Sequence, residues 1–291
     1  MKLALGTVQF GMPYGIKNEY GKIPLSQVSQ ILETAYNNKI TVLDTAFYYG
    51  TSEEVLGNTL GVRNWKIVTK TPHFSGDEIS DVEINQLVES FNTSLLRLGR
   101  ERVYALMIHA CDDLFKVGGE RLFNAINNLK SSGLVDKIGV SVYKEEQVER
   151  LLNDFDIDII QVPINVLDQR LLVGGYLERL KERKVEIHAR SVFLQGLLLM
   201  PLKSIPLHFK PIIQKLRKFD RMALELSIDK LSLSLEFVNS IKEIDKIVVG
   251  VDSVLQLKQI IASVKATISP VEFHELIVSD LQFINPSLWK L

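Results

Sequence analysis

Hydrophobic positions fall into short runs rich in Val and Ile, which alternate with longer segments of helical period along the whole chain. Eight runs are typical of buried strands, at 2–7, 40–45, 65–70, 102–109, 137–142, 157–162, 185–191 and 246–251. Between them, segments such as 26–36, 84–98 and 122–130 carry apolar residues at i, i+3, i+4 and i+7, which predicts helices packed on a sheet. The pattern therefore predicts repeated strand–helix units.

The alternation restricts the fold class. Strands separated by helices pair in parallel, because the return to the same sheet edge needs a right-handed crossover. Eight such units in 291 residues favour an α/β fold of the (β/α)8 TIM-barrel type over a doubly wound open sheet, and no GxGxxG follows an early strand. Without a Pro/Gly/Ser-rich linker, we predict one domain over 1–291, with a lid loop at about 200–211 and a C-terminal tail at about 271–291.

Composition and charge exclude several classes of partner. The chain is 46% hydrophobic and 24% charged, enough to bury a large core, and its net charge of −1 gives no basic excess for nucleic acid or an anionic membrane. No apolar run approaches the roughly 18 residues of a membrane span. The single cysteine, Cys111, excludes an internal disulfide, and the N-terminus lacks a signal-peptide pattern, so we expect a cytoplasmic protein.

Six successive strand candidates end in polar or ionisable residues. In a (β/α)8 barrel the C-terminal ends of the strands carry the chemistry, so these side chains should meet at one mouth. Each residue alone has a structural explanation, such as capping the next helix, but their convergence on one mouth indicates a site. The strand ends carry Asp44, Lys70, His109, Ser141, Gln161 and the pair Arg190 and Ser191.

The residue types at this mouth suit proton transfer to a carbonyl oxygen. Tyr49, in the segment DTAFYYG, is a proton donor whose ordinary pKa of about 10 is high for transfer near neutrality, and a neighbouring Lys70 ammonium would lower it. Asp44 would balance the charge of Lys70. A neutral His109 can donate a hydrogen bond to an oxygen on which negative charge grows. These residues predict a site that protonates a carbonyl while hydride reaches its carbon.

The same segments resemble the aldo-keto reductase superfamily. The resemblance covers nearly the whole chain in order, through 44–50, 67–70, 94–99, 106–109, 132–141, 159–165, 194–198 and 248–257. It implies a (β/α)8 barrel that reduces an aldehyde or ketone with a nicotinamide cofactor, NADP(H) first and NAD(H) as the alternative. It also implies a catalytic tetrad of Asp44, Tyr49, Lys70 and His109, in which the spacing of five residues after the acid selects Tyr49 over Tyr48.

The resemblance further implies cofactor contacts. Ser141 and Gln161 match positions that hold the nicotinamide carboxamide, and Ser191, Gln195 and Gly196 match a stretch around the pyrophosphate. The full set of expected cofactor-binding residues is Gly6, Thr7, Ser141, Gln161, Arg190, Ser191, Gln195, Gly196, Gly250, Ser253 and Gln256.

Three departures from the family pattern concern the cofactor. Val142 follows Ser141 where many relatives have Asn, and Arg190 stands where relatives usually have a Tyr or Trp that stacks on the nicotinamide. The segment after the eighth strand, the family's site for adenosine and its 2′-phosphate, lacks the usual Arg and the Glu-Asn pair. Lys258 is the only cation of that segment, so we expect a weak preference for NADPH over NADH.

Alternatives of other classes remain open at the sequence level. A barrel isomerase, epimerase or dehydratase could use Tyr49 and Lys70 for proton transfer, and a non-catalytic member of the family would bind ligands without turnover. The histidines show no metal-ligand spacing, so no metal site is expected. We expect a small-molecule carbonyl substrate and a monomer or weak homo-oligomer. The segment 189–198 is similar to reductases of bacterial sugar and surface-polysaccharide pathways, which suggests a sugar derivative as substrate.

Overall fold

The computed structural model describes residues 1–16, 18, 21–61, 63–265 and 271–289. Within these residues, eight parallel strands form a barrel in chain order that closes where the first strand pairs with the last. The predicted (β/α)8 TIM barrel is confirmed. The strands are β1 (Leu3–Gly6), β2 (Val42–Asp44), β3 (Lys66–Lys70), β4 (Val103–Ile108), β5 (Val135–Ser141), β6 (Ile159–Pro163), β7 (Glu186–Arg190) and β8 (Lys246–Gly250).

Helices surround the barrel and follow the strands. The longer ones are α1 (Leu25–Asn37), α2 (Ser52–Thr59), α3 (Asp81–Leu98), α4 (Gly119–Ser131), α5 (Glu145–Asp154), α6 (Tyr176–Glu182), α7 (Ile213–Glu225), α8 (Lys230–Ser240) and α9 (Val254–Lys265). Shorter helical turns lie at Val8–Gly11, Cys111–Phe115, Arg170–Val173, Leu194–Leu199, Leu202–Ser204, Leu207–Ile212, His274–Leu276, Leu281–Ile284 and Pro286–Leu288. The helices predicted at 26–36, 84–98 and 122–130 correspond to α1, α3 and α4.

The bounds of α3 follow from local chemistry. Ser80 caps its start by accepting a hydrogen bond from the Val82 amide, and Glu83 accepts one from the Ser80 amide at 2.9 Å, which completes a capping box. The helix ends at Gly99, whose φ of 59° is left-handed and costs glycine little. These signals fix where the apolar face of α3 meets the barrel.

The hydrophobic core has an inner and an outer part. The inner part fills the barrel with a few small and medium side chains, which are Ala4, Val42, Val68, Ala105, Met107 and Ile159. The outer part lies between the strands and the helices, as with Leu5 and Ile31, both fully buried. Because each such side chain contributes about 1.5–3 kcal/mol on burial, the filled barrel gives a rigid support for its C-terminal mouth.

A polar cluster lies towards the N-terminal end of the barrel, opposite this mouth. Glu186 accepts hydrogen bonds from Tyr104 and Lys137 and lies 2.7 Å from Nε2 of the fully buried His188. Burial raises the pKa of Glu186, but the bonds with His188, Lys137 and Tyr104 outweigh burial and hold the pKa well below its usual range. We therefore assign the charged groups around Glu186, at the N-terminal end of the barrel, to the stability of the fold.

The segment 200–211 packs against the C-terminal tail. Phe209 is fully buried and contacts the Trp289 ring edge-on, with centroids 4.9 Å apart, and His208 Nε2 lies 2.9 Å from the Gln282 carbonyl oxygen. The residues that line the cavity at the C-terminal mouth of the barrel include Leu199 but none of residues 200–211. A lid function of 200–211 stays a prediction. In the described part of the chain, we find no helix with the length and apolar character to cross a membrane.

Candidate active site

The C-terminal ends of the strands surround a cavity of about 640 Å³. It brings together all the site residues expected from the sequence except Lys70, which lies beneath it, and Ser253. Those that line it are Gly6, Thr7, Asp44, Tyr49, His109, Ser141, Gln161, Arg190, Ser191, Gln195, Gly196, Gly250 and Gln256. Residues from seven strand ends therefore share one site, as the barrel topology dictates.

A buried ion pair lies at the base of this cavity. Lys70 Nζ is 2.8 Å from both carboxylate oxygens of Asp44 and donates a further hydrogen bond to the Thr45 carbonyl oxygen at 2.9 Å. The two residues end neighbouring strands, β3 and β2, and are 1% and 3% exposed. Burial lowers the pKa of Lys70, and the Asp44 carboxylate opposes that change. The ammonium therefore has the counter-charge that its burial requires.

Tyr49 lies next to this pair, in the turn after β2. Lys70 Nζ is 5.1 Å from the centre of the Tyr49 ring, and the His109 ring centre lies 5.9 Å from it at an angle of 80°. Burial and the charge of Asp44 raise the pKa of Tyr49 well above its ordinary value of 10.0, while the charge of Arg190 opposes this. The sequence-based prediction of a lowered pKa is wrong in its direction, because the cost of a buried phenolate outweighs the nearby cations.

His109 is held neutral. Burial first, and then the positive charges of Lys70, His73 and Arg190, lower the pKa of His109 well below 6.5. Its Nδ1 is buried without a hydrogen-bond partner among the described residues. The His73 ring packs edge-on against it, with centroids 4.5 Å apart. A neutral imidazole at this position can donate a hydrogen bond to a bound oxygen.

Backbone contacts fix the turn that carries Tyr49. A Cβ atom added to Gly11 would lie 1.8 Å from the Tyr49 carbonyl oxygen and 2.4 Å from the Ser52 amide, so the chain after β1 and this turn touch without a side chain between them. Gly50 has a left-handed φ of 56°. Tyr48 points elsewhere: it is 46% exposed and packs edge-on against His73, with ring centroids 5.5 Å apart.

Gln161 reaches the ion pair from β6. Its Nε2 donates a hydrogen bond to Asp44 Oδ1 at 2.7 Å, and its neighbour in the sheet register is Ser141 at the end of β5. Both residues are 2% exposed. Gln161 therefore orients the Asp44 carboxylate, and its contact with a carboxamide stays a prediction.

The loop after β7 has an unusual backbone. Ser191, Leu194 and Gln195 adopt left-handed φ values of 60°, 48° and 53°, followed by Gly196 at 92°. Left-handed non-glycine residues are strained and concentrate at functional sites. The Ile16 amide donates a hydrogen bond to the Gln195 carbonyl oxygen at 3.2 Å. This bond ties the loop after β1 to the loop after β7, across the end of β8.

The β8 end of the cavity has acceptors without donors. Gln9 Oε1 and Asp252 Oδ1 are buried and have no hydrogen-bond partner within the described segments. Gly250 leaves room for Gln9, because a Cβ atom there would lie 2.7 Å from Gln9 Nε2. Ser253 instead caps α9, accepting a hydrogen bond from the Gln256 amide at 3.2 Å. Lys258 is exposed and does not line the cavity.

Arg190 is fixed against the wall of the cavity. Its Nη2 donates a hydrogen bond to the Val142 carbonyl oxygen at 2.8 Å, and its Nη1 donates to Ser191 Oγ at 3.2 Å. Its Cζ lies 4.1 Å from the centre of the Tyr143 ring. The two departures noted at 142 and 190 are thus neighbours in space.

The chain matches a known family over most of its length. The model of the Aldo/keto reductase family matches residues 2–277. The chain belongs to this family. Its members are oxidoreductases of carbonyl compounds that generally use nicotinamide cofactors.

Individual relatives of the family are more distant. Aldo-keto reductase YhdN of Bacillus subtilis (strain 168) is 26% identical over 177 residues, which make up 58% of this chain and 53% of that protein. The chain therefore spans about half the length of this curated relative. Aldo-keto reductase AKR11C1 of Bacillus halodurans has a TM-score of 0.75 in its holo form, at 20% identity over 94% of this chain and 90% of that one. Its apo form gives 0.68 at 21% identity, over 87% and 86%. At such identities the structures bear on the fold alone.

Several residues that line the cavity of this protein were not predicted from the sequence. Gln9 and Tyr14 come from the loop after β1, Tyr143 from the loop after β5, and Asp252 from the loop after β8. Each lies beyond a strand end, where no periodic pattern places a side chain. Across the described ranges, no group of three or more His, Cys, Asp or Glu side chains has metal-binding geometry.

Proposed function

We propose that the protein is an NAD(P)H-dependent reductase that converts an aldehyde or ketone into an alcohol, with Tyr49 as the general acid. The observation that carries this proposal is the Asp44–Lys70 ion pair, whose Lys70 Nζ lies 5.1 Å from the centre of the Tyr49 ring, together with the His109 ring, whose centre lies 5.9 Å from that of Tyr49. The family assignment favours a reductase over an isomerase, epimerase or dehydratase that would use Tyr49 and Lys70 for proton transfer with a cofactor bound tightly or absent.

The chain's own residues fit a nicotinamide cofactor, which supplies the hydride when bound. Gly6 and Gly250 offer backbone without side chains, and the left-handed turn at Gln195 and Gly196 is of the kind that presents amides to anions. Gln9 Oε1 is a buried acceptor that a hydroxyl or amide of a ligand would satisfy. NADP(H) is the expected cofactor, with NAD(H) as the alternative.

The proton relay follows from the contacts. Tyr49 keeps its proton at neutral pH, because burial and Asp44 raise its pKa, and releases it when a carbonyl oxygen gains negative charge. Lys70 stabilises the phenolate that remains, and Asp44 keeps Lys70 charged inside the barrel. Neutral His109 donates a hydrogen bond to the same oxygen and positions it.

A matched pair of variants tests this proposal. Tyr49→Phe removes the transferable proton and should lower kcat by about 10²–10⁴-fold, with cofactor affinity nearly intact. Tyr48→Phe makes the same chemical change on an exposed ring and should be mild. The measurement is the oxidation of NADPH or NADH by a panel of aldehydes and sugar derivatives. If the wild type oxidises neither cofactor, or if Tyr48→Phe is the inactive variant, the proposal is wrong.

A further inference from the structure

Three buried hydroxyl groups lie next to the Asp44–Lys70 ion pair. They belong to Thr7, which follows β1, to Thr45, which follows β2, and to Ser52, the first residue of α2. All three residues are fully buried. Burial of a hydroxyl group costs free energy unless the group is hydrogen-bonded, so the partners of these groups indicate what each one holds in place.

The three hydroxyl groups form a hydrogen-bonded chain. Thr45 Oγ1 donates to Ser52 Oγ at 3.1 Å, and Ser52 Oγ in turn lies 2.9 Å from both the hydroxyl and the carbonyl oxygen of Thr7. Thr7 then donates to the Asp44 carbonyl oxygen twice, from Oγ1 at 2.9 Å and from its amide at 3.0 Å. Because a peptide bond joins Asp44 to Thr45, the chain closes into a ring, which we call the hydroxyl ring. Hydrogen bonds in such a buried chain strengthen one another.

Ser52 connects the hydroxyl ring to the proposed general acid. Its amide donates a hydrogen bond to the Tyr49 carbonyl oxygen at 3.0 Å. On the other side of the ring, the Thr45 carbonyl oxygen accepts a hydrogen bond from Lys70 Nζ at 2.9 Å, and the Asp44 carboxylate holds the same ammonium. The backbone that carries Tyr49 is therefore joined, through one serine, to the strand end that carries the ion pair.

This connection bears on proton transfer because Tyr49 lies in a turn. Pairing between strands fixes Asp44 and Lys70 relative to each other, since they end the neighbouring strands β2 and β3. It does not fix Tyr49, whose ring centre must stay near Lys70 Nζ, at 5.1 Å in the structure. A misplacement of about 1 Å at a reacting group can cost roughly 100-fold in rate. The Ser52 hydroxyl supplies a connection that the sheet does not.

We propose that Ser52 is a positioning residue for the general acid, which holds the Tyr49 phenol at its working distance from the Asp44–Lys70 pair. This inference rests on the proposed function, because it concerns the placement of the same acid. Ser52 does not line the cavity, so its effect on substrate and cofactor passes through Tyr49. Its loss should therefore lower kcat and leave binding nearly unchanged.

Variants at position 52 test the inference by steady-state kinetics. Ser52→Ala removes the hydroxyl group and should lower kcat about tenfold, while the KM of an aldehyde and the Kd of NADPH change little. The solvent deuterium isotope effect on kcat should rise, because proton transfer then limits turnover to a greater extent. Ser52→Cys keeps nearly the same shape but is a weak hydrogen-bond donor, so its kcat should fall as in Ser52→Ala. Wild-type kcat in Ser52→Cys would mean that the side chain only fills space, and would overturn the inference.

A matched control uses another buried serine. Ser90 lies in α3 and donates a hydrogen bond to the Leu87 carbonyl oxygen of the same helix at 2.9 Å. Ser90→Ala therefore removes a buried hydroxyl group without touching the hydroxyl ring, and should keep the kcat and the isotope effect of the wild type. An equal loss of kcat in Ser90→Ala and Ser52→Ala would assign both changes to general destabilisation and overturn the inference.

NMR spectroscopy of protein labelled with ¹³C at the tyrosine Cζ atoms observes the phenol without turnover. The resonance that disappears in Tyr49→Phe identifies Tyr49; it should shift in Ser52→Ala and stay in place in Ser90→Ala. If Ser52→Ala does not fold, Ser52→Cys gives the same measurement. A shifted resonance in a protein that reduces no aldehyde would sustain the placement of Tyr49 by Ser52 and overturn the proposed function. A folded variant with an unmoved Tyr49 resonance and wild-type kcat would overturn the inference and leave the reductase intact.

Discussion

Gln161 Nε2 and Lys70 Nζ donate hydrogen bonds to the same oxygen, Asp44 Oδ1, at 2.7 and 2.8 Å. A carboxylate that accepts from an amide on β6 and an ammonium on β3 has its orientation fixed from two sides of the barrel. All three side chains are nearly inaccessible to water, so water cannot replace a donor that is lost. Loss of either donor would leave the Asp44 carboxylate oriented by the remaining donor alone.

Gln161→Leu should therefore weaken catalysis through Asp44. A hydrogen bond to a charged group contributes about 1.5–3 kcal/mol, so we expect kcat to fall roughly 10- to 100-fold. Steady-state kinetics measure the change, and a thermal melt shows whether the variant folds. A folded Gln161→Leu protein with wild-type kcat would mean that Lys70 alone orients Asp44.

Lys70→Met should be at least as damaging as Asp44→Asn, because Lys70 lies beside the phenol and Asp44 acts through Lys70. The two losses in kcat should not add in the double variant, since both residues belong to one hydrogen-bonded unit. The full double-mutant cycle measures this. Losses that simply multiply would assign the two residues to independent roles.

The pH dependence of kcat/KM follows from two shifted groups. The raised pKa of Tyr49 keeps the acid protonated beyond its ordinary range, so ionisation of Tyr49 should not lower activity near neutrality. The lowered pKa of His109 keeps the imidazole neutral, so no inflection should arise near pH 6.5. We therefore expect that neither Tyr49 nor His109 produces an inflection in the profile near neutrality. An ionisation near neutrality that Tyr49→Phe removes would contradict this expectation.

Cofactor choice is the fourth prediction. Asp252 stands among the cavity residues, whereas Lys258, the cation of the same segment, is exposed. A carboxylate disfavours a 2′-phosphate, so the preference for NADPH over NADH in kcat/KM should be about tenfold or less. Asp252→Asn should shift the ratio towards NADPH, with Lys258→Gln as the neutral comparison. A thousandfold preference for NADPH would instead require a cation from another loop.

The barrel could be predicted because each strand and each helix shows its own hydrophobic pattern within a short stretch of sequence. The predicted strands overshoot by a few residues, as in 40–45 against β2 at Val42–Asp44. The strand-end side chains also meet as predicted, because parallel strands in a barrel bring their C-terminal ends to one mouth. A sequence pattern can thus predict which side chains come together when they lie on regular strands.

The pattern of strands and helices could not predict how deeply each side chain is buried or which contacts the loops make. The direction of the Tyr49 pKa depends on how far the phenol is desolvated, which no sequence period encodes. Ser253 was expected at the cofactor, but its hydroxyl caps α9. The contact of Arg190 with the Val142 carbonyl joins two departures from the family pattern that the sequence shows 48 positions apart.

The contact between Gly11 and the Tyr49 peptide bears on how mutational scans of this enzyme should be interpreted. Any side chain at position 11 would collide with the Tyr49 carbonyl at 1.8 Å and displace the phenol, although residue 11 does not line the cavity. A scan by activity would therefore score Gly11 together with the tetrad.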